Sequence, residues 1–199
     1  MSVEAIFCDL GGVAVEVNAD QLVHRAAQLL QRPFDEVQQA VYDPELLLPF
    51  ELGRLSPQDY HAGLQQRLRL PWSYEQFVEI WNGVILEHGP VIGLLARVRA
   101  RHRLIALSNT NVLHLAHVKA LPALGCFHDW VASCEVGCRK PDPAIYRLAL
   151  ARAAVEAPGA VYIDDRPELV DAGRGLGLVA IRFESSQQLE RDLRALGLL

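Results

Sequence analysis

The sequence predicts an α/β fold: a Rossmann-like, largely parallel sheet core carrying an inserted all-helical domain. Three features lead to this reading. Short apolar runs rich in Val and Ile recur along the chain, stretches of helical periodicity separate them, and one long region early in the chain is helical throughout.

Taken in order, VEAIFC (3–8) reads as a first buried strand ending at Asp9 and the paired glycines Gly11 and Gly12. Residues 16–85 hold DQLVHRAAQLLQ, FDEVQQAVY, PQDYHAGLQQRL and YEQFVEIWNGV, all with helical spacing and without a good strand candidate. The predicted organisation is therefore a discontinuous α/β core, 1–15 and 86–199, with a helical domain at 16–85. RLIALS (103–108), AVYID (160–164) and LVAIRF (178–183) read as further buried strands, and DWVASCE (129–135) as a weaker one. Helix starts are legible at Ser56-Pro57, at Ser73 with Gln76 as a capping box, and at Asp142-Pro143. Gly175 and Gly177 suit the turn from a helix into the last strand.

Composition narrows the function classes. The chain has 199 residues, is 51% hydrophobic and carries a net charge of −5, with Lys and Arg dispersed. That length supports a substantial core, and that charge gives no support to a nucleic-acid partner. No run is long enough to span a membrane and no secretory leader is evident, so a cytoplasmic protein without a membrane partner is expected. Cys8, Cys126, Cys134 and Cys138 lack the paired spacing of a zinc site and read as reduced thiols.

In an open parallel sheet, ligands bind beyond the carboxyl ends of the strands. There the sequence places Asp9, then Ser108, Asn109 and Thr110, then Asp164 and Asp165, with Arg139 and Lys140 before a helix. Asp9, Asp164 and Asp165 are the oxygen-ligand type that suits Mg²⁺. Ser108 and Asn109 can hydrogen-bond phosphate oxygens, Lys140 adds a point charge, and the backbone at Gly11 and Gly12 can approach a phosphate closely. These are the parts for phosphoryl transfer from a monoester, with Asp9 attacking phosphorus.

FCDLGG at Asp9, LSNTN at Ser108, RKPDPAIY at Lys140 and YIDDRPE at Asp164-Asp165 together resemble, in order and approximate spacing, the four motifs of the haloacid dehalogenase superfamily of hydrolases. The helical insert is similar to that family's first type of cap domain. FELGRLSPQDY, LSNTN and CRKPDPAIY are similar to the branch that includes bacterial glucose-1-phosphate phosphatases.

The resemblance implies Asp9 as nucleophile and metal ligand, the Gly11 carbonyl and Asp165 as further ligands of Mg²⁺, and Asp164 as a ligand through water or as the residue orienting Lys140. Ser108, Asn109, Lys140 and Gly12 would hold the phosphate, and Lys140 would also stabilise charge during catalysis. Gly11 departs from the family's second Asp, which protonates the leaving oxygen. Such acid-base catalysis is worth roughly 10²- to 10⁴-fold. Leu169 replaces the Asn that several relatives place beside the metal.

The leading expectation is a Mg²⁺-dependent phosphatase of a small phosphorylated metabolite, a sugar phosphate being favoured, working through an aspartyl-phosphate. The alternatives are a metal-independent hydrolase acting at carbon, as on 2-haloacids, and a phospholigand-binding protein weakened catalytically at Gly11. Glu16 and His24 are candidates for a substituted acid-base group, although both read first as solvated residues. His114 and His117 share a helical face without further ligands nearby, Asp171 reads as a surface acid, and Tyr60, Trp72, Phe77 and Trp81 as core of the helical domain.

Overall fold

The computed structural model describes residues 3–199. The first strand, β1 (Ala5–Cys8), leads through the glycine pair into β2 (Val15–Val17). Five helices follow: α1 (Ala19–Leu30), α2 (Phe34–Val41), α3 (Pro44–Glu51), α4 (Pro57–Leu68) and α5 (Tyr74–Asn82). The chain returns through β3 (Ile85–Glu87) and α6 (Gly89–Arg99) to β4 (Arg103–Ser108) and α7 (Val112–Ala120). Next come β5 (Asp129–Ala132), the single turn α8 (Ser133–Val136), α9 (Pro143–Ala153) and β6 (Ala160–Asp164). The described chain closes with α10 (Pro167–Gly175), β7 (Val179–Arg182) and α11 (Ser186–Ala195).

Five strands form one parallel sheet in the order β5-β4-β1-β6-β7. The centre is β1, with β4 and β6 as its neighbours, and this explains why their sequences are apolar without alternation. Every residue of β1 and β6 is buried, because helices cover both faces. Full burial of side chains such as Ile6 and Phe7 stabilises the fold by about 1.5–3 kcal/mol each. The same register brings the carboxyl ends of β1, β4 and β6 side by side, and with them Asp9, Ser108 and Asp164.

Two short strands correct the sequence reading. Val15–Val17 and Ile85–Glu87 pair antiparallel, so the helices α1–α5 leave and rejoin the sheet through a narrow ribbon. Strands of three residues are too short to show a period of two, which is why they were not expected in 16–85. The predicted caps form: Ser56 accepts from the Asp59 N–H, Asp142 accepts from the Ala144 N–H, and Ser73 and Gln76 make the reciprocal box. Among the described residues no helix is long and apolar enough to cross a membrane.

Aromatic packing organises α3–α5. Phe50 stacks on Tyr60 with ring centroids 4.4 Å apart, and Trp81 meets the edge of Tyr60 at 5.2 Å. The helices are also tied to the sheet side. The Ser133 hydroxyl donates to the Glu51 carbonyl at 2.7 Å and accepts from the Thr110 N–H at 2.9 Å, while Trp81 Nε1–H donates to Asn111 Oδ1 at 3.3 Å. At Gly53, with φ +67°, an added Cβ would stand 2.1 Å from the carbonyl oxygen of Cys134. Positive φ and this backbone contact both require glycine. Gly53→Ala is therefore expected to cost about 1–3 kcal/mol and lower the thermal midpoint by several degrees in calorimetry. An unchanged midpoint would contradict the close contact between Gly53 and Cys134.

Candidate active site

Asp9 lies one residue beyond β1 and is 7% exposed. Its Oδ1 accepts from the Leu10 N–H at 2.7 Å, and its Oδ2 faces Lys140 Nζ at 3.0 Å. The same ammonium lies 2.6 Å from Asp164 Oδ2, at the end of β6. Lys140, 1% exposed, thus bridges two buried carboxylates. Burying a charge is costly unless it is paired, and Lys140 is paired twice.

Asp164 has both oxygens engaged. The Tyr162 hydroxyl also donates to Oδ2, and Oδ1 accepts from the Arg166 N–H at 2.9 Å. Asp165 differs: its Oδ1 is buried without a hydrogen-bond partner. Oxygens of Asp9, Asp164 and Asp165 all lie within 4.8 Å of one another. Three crowded carboxylates with one orphaned buried oxygen could hold a hard divalent cation, which takes oxygen ligands. Gly12 makes room for this arrangement. At φ +81° it would bring a Cβ within 2.5 Å of Asp165 Oδ2.

The other expected phosphate ligands divide. Ser108, 4% exposed, sits at the end of β4 beside Asp9. Asn109 is nearby, but its carboxamide clamps the backbone of Lys140: Nδ2 donates to the Lys140 carbonyl at 2.9 Å and Oδ1 accepts from its N–H at 2.8 Å. The Gly12 N–H, expected to face a phosphate, donates to the Val15 carbonyl at 2.8 Å. Gly11, Ser108 and Asn109 line a cavity of about 210 Å³ between the sheet end and α1–α5, so the position lacking an acid opens directly onto it.

The substituted acid-base candidates do not reach this cavity. Glu16 is 65% exposed on its side chain and lies 3.8 Å from His88, and His24 is exposed against Phe34. His114 lines the cavity. It donates through Nε2 to the Trp81 carbonyl at 2.9 Å and stacks on that indole, and burial holds its pKa down to about 4. Asp171 pairs with Arg174 at the surface, and Leu169 is buried with its carbonyl accepting from Tyr146. All four cysteines are free.

The family model of haloacid dehalogenase-like hydrolases matches residues 3–177. The chain belongs to this family of hydrolases. Among curated proteins, the hydrolase is 36% identical over 76 residues to flavin mononucleotide hydrolase 1 of Arabidopsis thaliana, across 38% of this chain and 31% of that protein. It is 29% identical over 104 residues to acyl-CoA dehydrogenase family member 10 of Mus musculus, across 51% of this chain and 10% of that one. The chain thus spans less than a third of the length of these relatives. Its fold is similar to that of a haloacid dehalogenase family enzyme of Bacteroides thetaiotaomicron, with TM-score 0.86 and 20% identity over 98% of this chain and 100% of that one. Another structure of the Bacteroides enzyme, in complex with magnesium and inorganic phosphate, has TM-score 0.82 at 21% identity over 92% and 95% of the two chains. A predicted family hydrolase of Porphyromonas gingivalis also gives 0.82, at 24% identity over 98% and 99%.

Three residues of the hydrolase's site carry no sequence signal of their role. Tyr162 reads as an ordinary strand residue, yet it fixes Asp164 and places its ring 5.7 Å from Lys140 Nζ. Asn111, the last residue of LSNTN, caps α7 and also holds Trp81. Glu51 lines the cavity and pairs with Arg139 at 2.7 Å, a contact between segments far apart in sequence.

Burial pushes the Asp9 carboxyl up to about 7, against the pull of Lys140, with Asp164 adding to the rise. Folded Asp9 therefore binds its proton more tightly than unfolded Asp9. Its contribution to stability is fully present below the ordinary carboxyl range and is lost as pH rises through about 7. In the metal-free protein, Asp9→Asn is expected to raise stability by a few kcal/mol at pH 8 and by much less at pH 5, read from denaturant unfolding. Equal effects at the two pH values would contradict the buried setting of this carboxyl.

Proposed function

We propose that the hydrolase is a Mg²⁺-dependent phosphatase of small phosphomonoesters. The observation that carries this reading is the cluster of Asp9, Asp164 and Asp165, in which one buried oxygen of Asp165 has no hydrogen-bond partner, with Lys140 beside it. A site for attack at carbon without a metal has no use for so many acids. The complex of the Bacteroides relative with magnesium and inorganic phosphate, and the flavin mononucleotide hydrolase of Arabidopsis, support the same reaction class.

In this reading residues 16–85 act as the cap over the core formed by 1–15 and 86–199. Asp9, Asp165 and the Gly11 carbonyl would hold Mg²⁺, which neutralises phosphate charge and favours the ionised form of Asp9. Asp9 is the nucleophile. Lys140 faces the attacking carboxylate and the transferring phosphoryl group, while Ser108 offers its hydroxyl to a phosphate oxygen. Asp164, with both oxygens already bonded, positions Lys140 rather than the metal, and Asn109 does the same from the backbone side. The intermediate is an aspartyl-phosphate that water hydrolyses.

Phosphate release from a phosphomonoester panel, with and without Mg²⁺, tests this. Activity is expected to vanish with chelator and to fall about 10³-fold or more in Asp9→Asn. Release that survives either change, or halide release from a 2-haloacid in chelator, would refute the reading.

A further inference from the structure

The cavity that opens beside Gly11 has a chemical character of its own. Its lining is largely apolar and includes Val17, Leu22, Leu47, Trp81, Val84 and Ile85. Several of its polar lining residues are engaged within the protein. Tyr42 donates its hydroxyl to the Ala19 carbonyl at 3.1 Å. Asn111 Oδ1 takes the Trp81 indole N–H and the N–H groups of Leu113 and His114, and His114 Nε2–H is held by the Trp81 carbonyl. Glu51 is paired with Arg139. A leaving group with several hydroxyls would enter a wall with few groups to receive them, and each buried hydroxyl left unpaired costs about 1–3 kcal/mol. At about 210 Å³ the cavity is small. An apolar cavity of about 150 Å³ is enough to take up benzene.

A second, independent observation concerns proton supply. Gly11 presents no side chain to the leaving oxygen. Asp9 and Asp164 are paired with Lys140, Asp165 stands in the donor set proposed for the metal, and Glu51, the acid that lines the cavity, is ion-paired with Arg139 at 2.7 Å. A leaving group that must be protonated as it departs is therefore poorly served.

We propose that this cavity takes a compact, apolar leaving group of low basicity, as in an aryl phosphate, and disfavours the polyhydroxylated leaving groups of sugar phosphates. The proposal rests on the phosphatase reading above and replaces the sugar phosphate expected from sequence. In the first step a bond forms between an Asp9 carboxylate oxygen and phosphorus as the bond from phosphorus to the leaving oxygen breaks. The electron pair departs on that oxygen, and a phenoxide carries it until solvent supplies a proton. Water then bonds to phosphorus, the bond to Asp9 breaks, and inorganic phosphate leaves as the water proton passes to solvent.

The test compares kcat/KM in Mg²⁺ for phenyl phosphate, propyl phosphate, glucose 1-phosphate and flavin mononucleotide. Phenyl phosphate is expected to exceed each of the others by at least about tenfold, the sugar and ribityl substrates failing at the wall and propyl phosphate at the proton. In Gly11→Asp, whose Cβ would meet only Val17 Cγ2 at 3.4 Å, the ratio of propyl to phenyl phosphate is expected to rise about 10²-fold. Leu47→Asn, which puts a carboxamide into the wall, is expected to cut the preference for phenyl phosphate over glucose 1-phosphate about tenfold. Preference of the wild type for glucose 1-phosphate or flavin mononucleotide overturns the inference and leaves the phosphatase reading intact. Equal turnover of propyl and phenyl phosphate overturns it too, by showing that a proton donor is present. No release from any of the four overturns both.

Discussion

The buried ammonium of Lys140 between Asp9 and Asp164 is the contact on which the site depends. Neither carboxylate can be ionised in that apolar setting without a nearby cation, and the cation cannot be buried without them. The three groups arrive from the ends of β1 and β6 and from the loop before α9, so satisfying one charge fixes three separate segments. Tyr162, Arg166 and Asn109 complete the arrangement from around it, each engaging a group that would otherwise be left unpaired. Asp165 is left with an unmet oxygen, and three carboxylates beside one ammonium leave the cluster short of positive charge.

The helical segment is not loosely placed over this cluster. Ser133 joins the end of α3 to the loop after β4, Gly53 lets the backbone approach Cys134, and Trp81 is hydrogen-bonded to Asn111 at the start of α7. These contacts bring apolar side chains from α1, α3 and α5 over the strand ends. They define a recess that opens on the strand ends and is lined largely by apolar side chains. A recess of that kind gains specificity from excluding groups that need hydrogen bonds, with less contribution from making new ones.

Much of this was legible in the sequence, and the reasons are physical. Strands buried on both faces appear as unbroken apolar runs, so β1, β4 and β6 declared themselves. Polar residues placed just beyond such runs are rare unless used, so Asp9, Ser108, Asp164 and Asp165 stood out. What sequence could not show depends on geometry at single atoms. Nothing in YIDD says that the Tyr162 ring lies near Lys140 or that the Asp164 oxygens are both occupied. Gly12 was expected to admit a phosphate, whereas its missing Cβ admits Asp165 and its N–H is bonded to Val15. Glu51, in the stretch FELGRLSPQDY, was not singled out as a site residue and reaches the cavity through the fold of α3. The apolar wall draws on residues scattered from Leu10 to Val118, and no local pattern records their meeting.

The central claim is that Asp9 becomes phosphorylated during turnover. Acid quenching of the Mg²⁺-loaded enzyme in mid-turnover, followed by proteolysis and mass spectrometry, measures this directly. A phosphate carried by the peptide containing Asp9, and absent from Asp9→Asn, is the predicted result. Sustained phosphate release with that peptide unmodified, or with the phosphate on another residue, would contradict it.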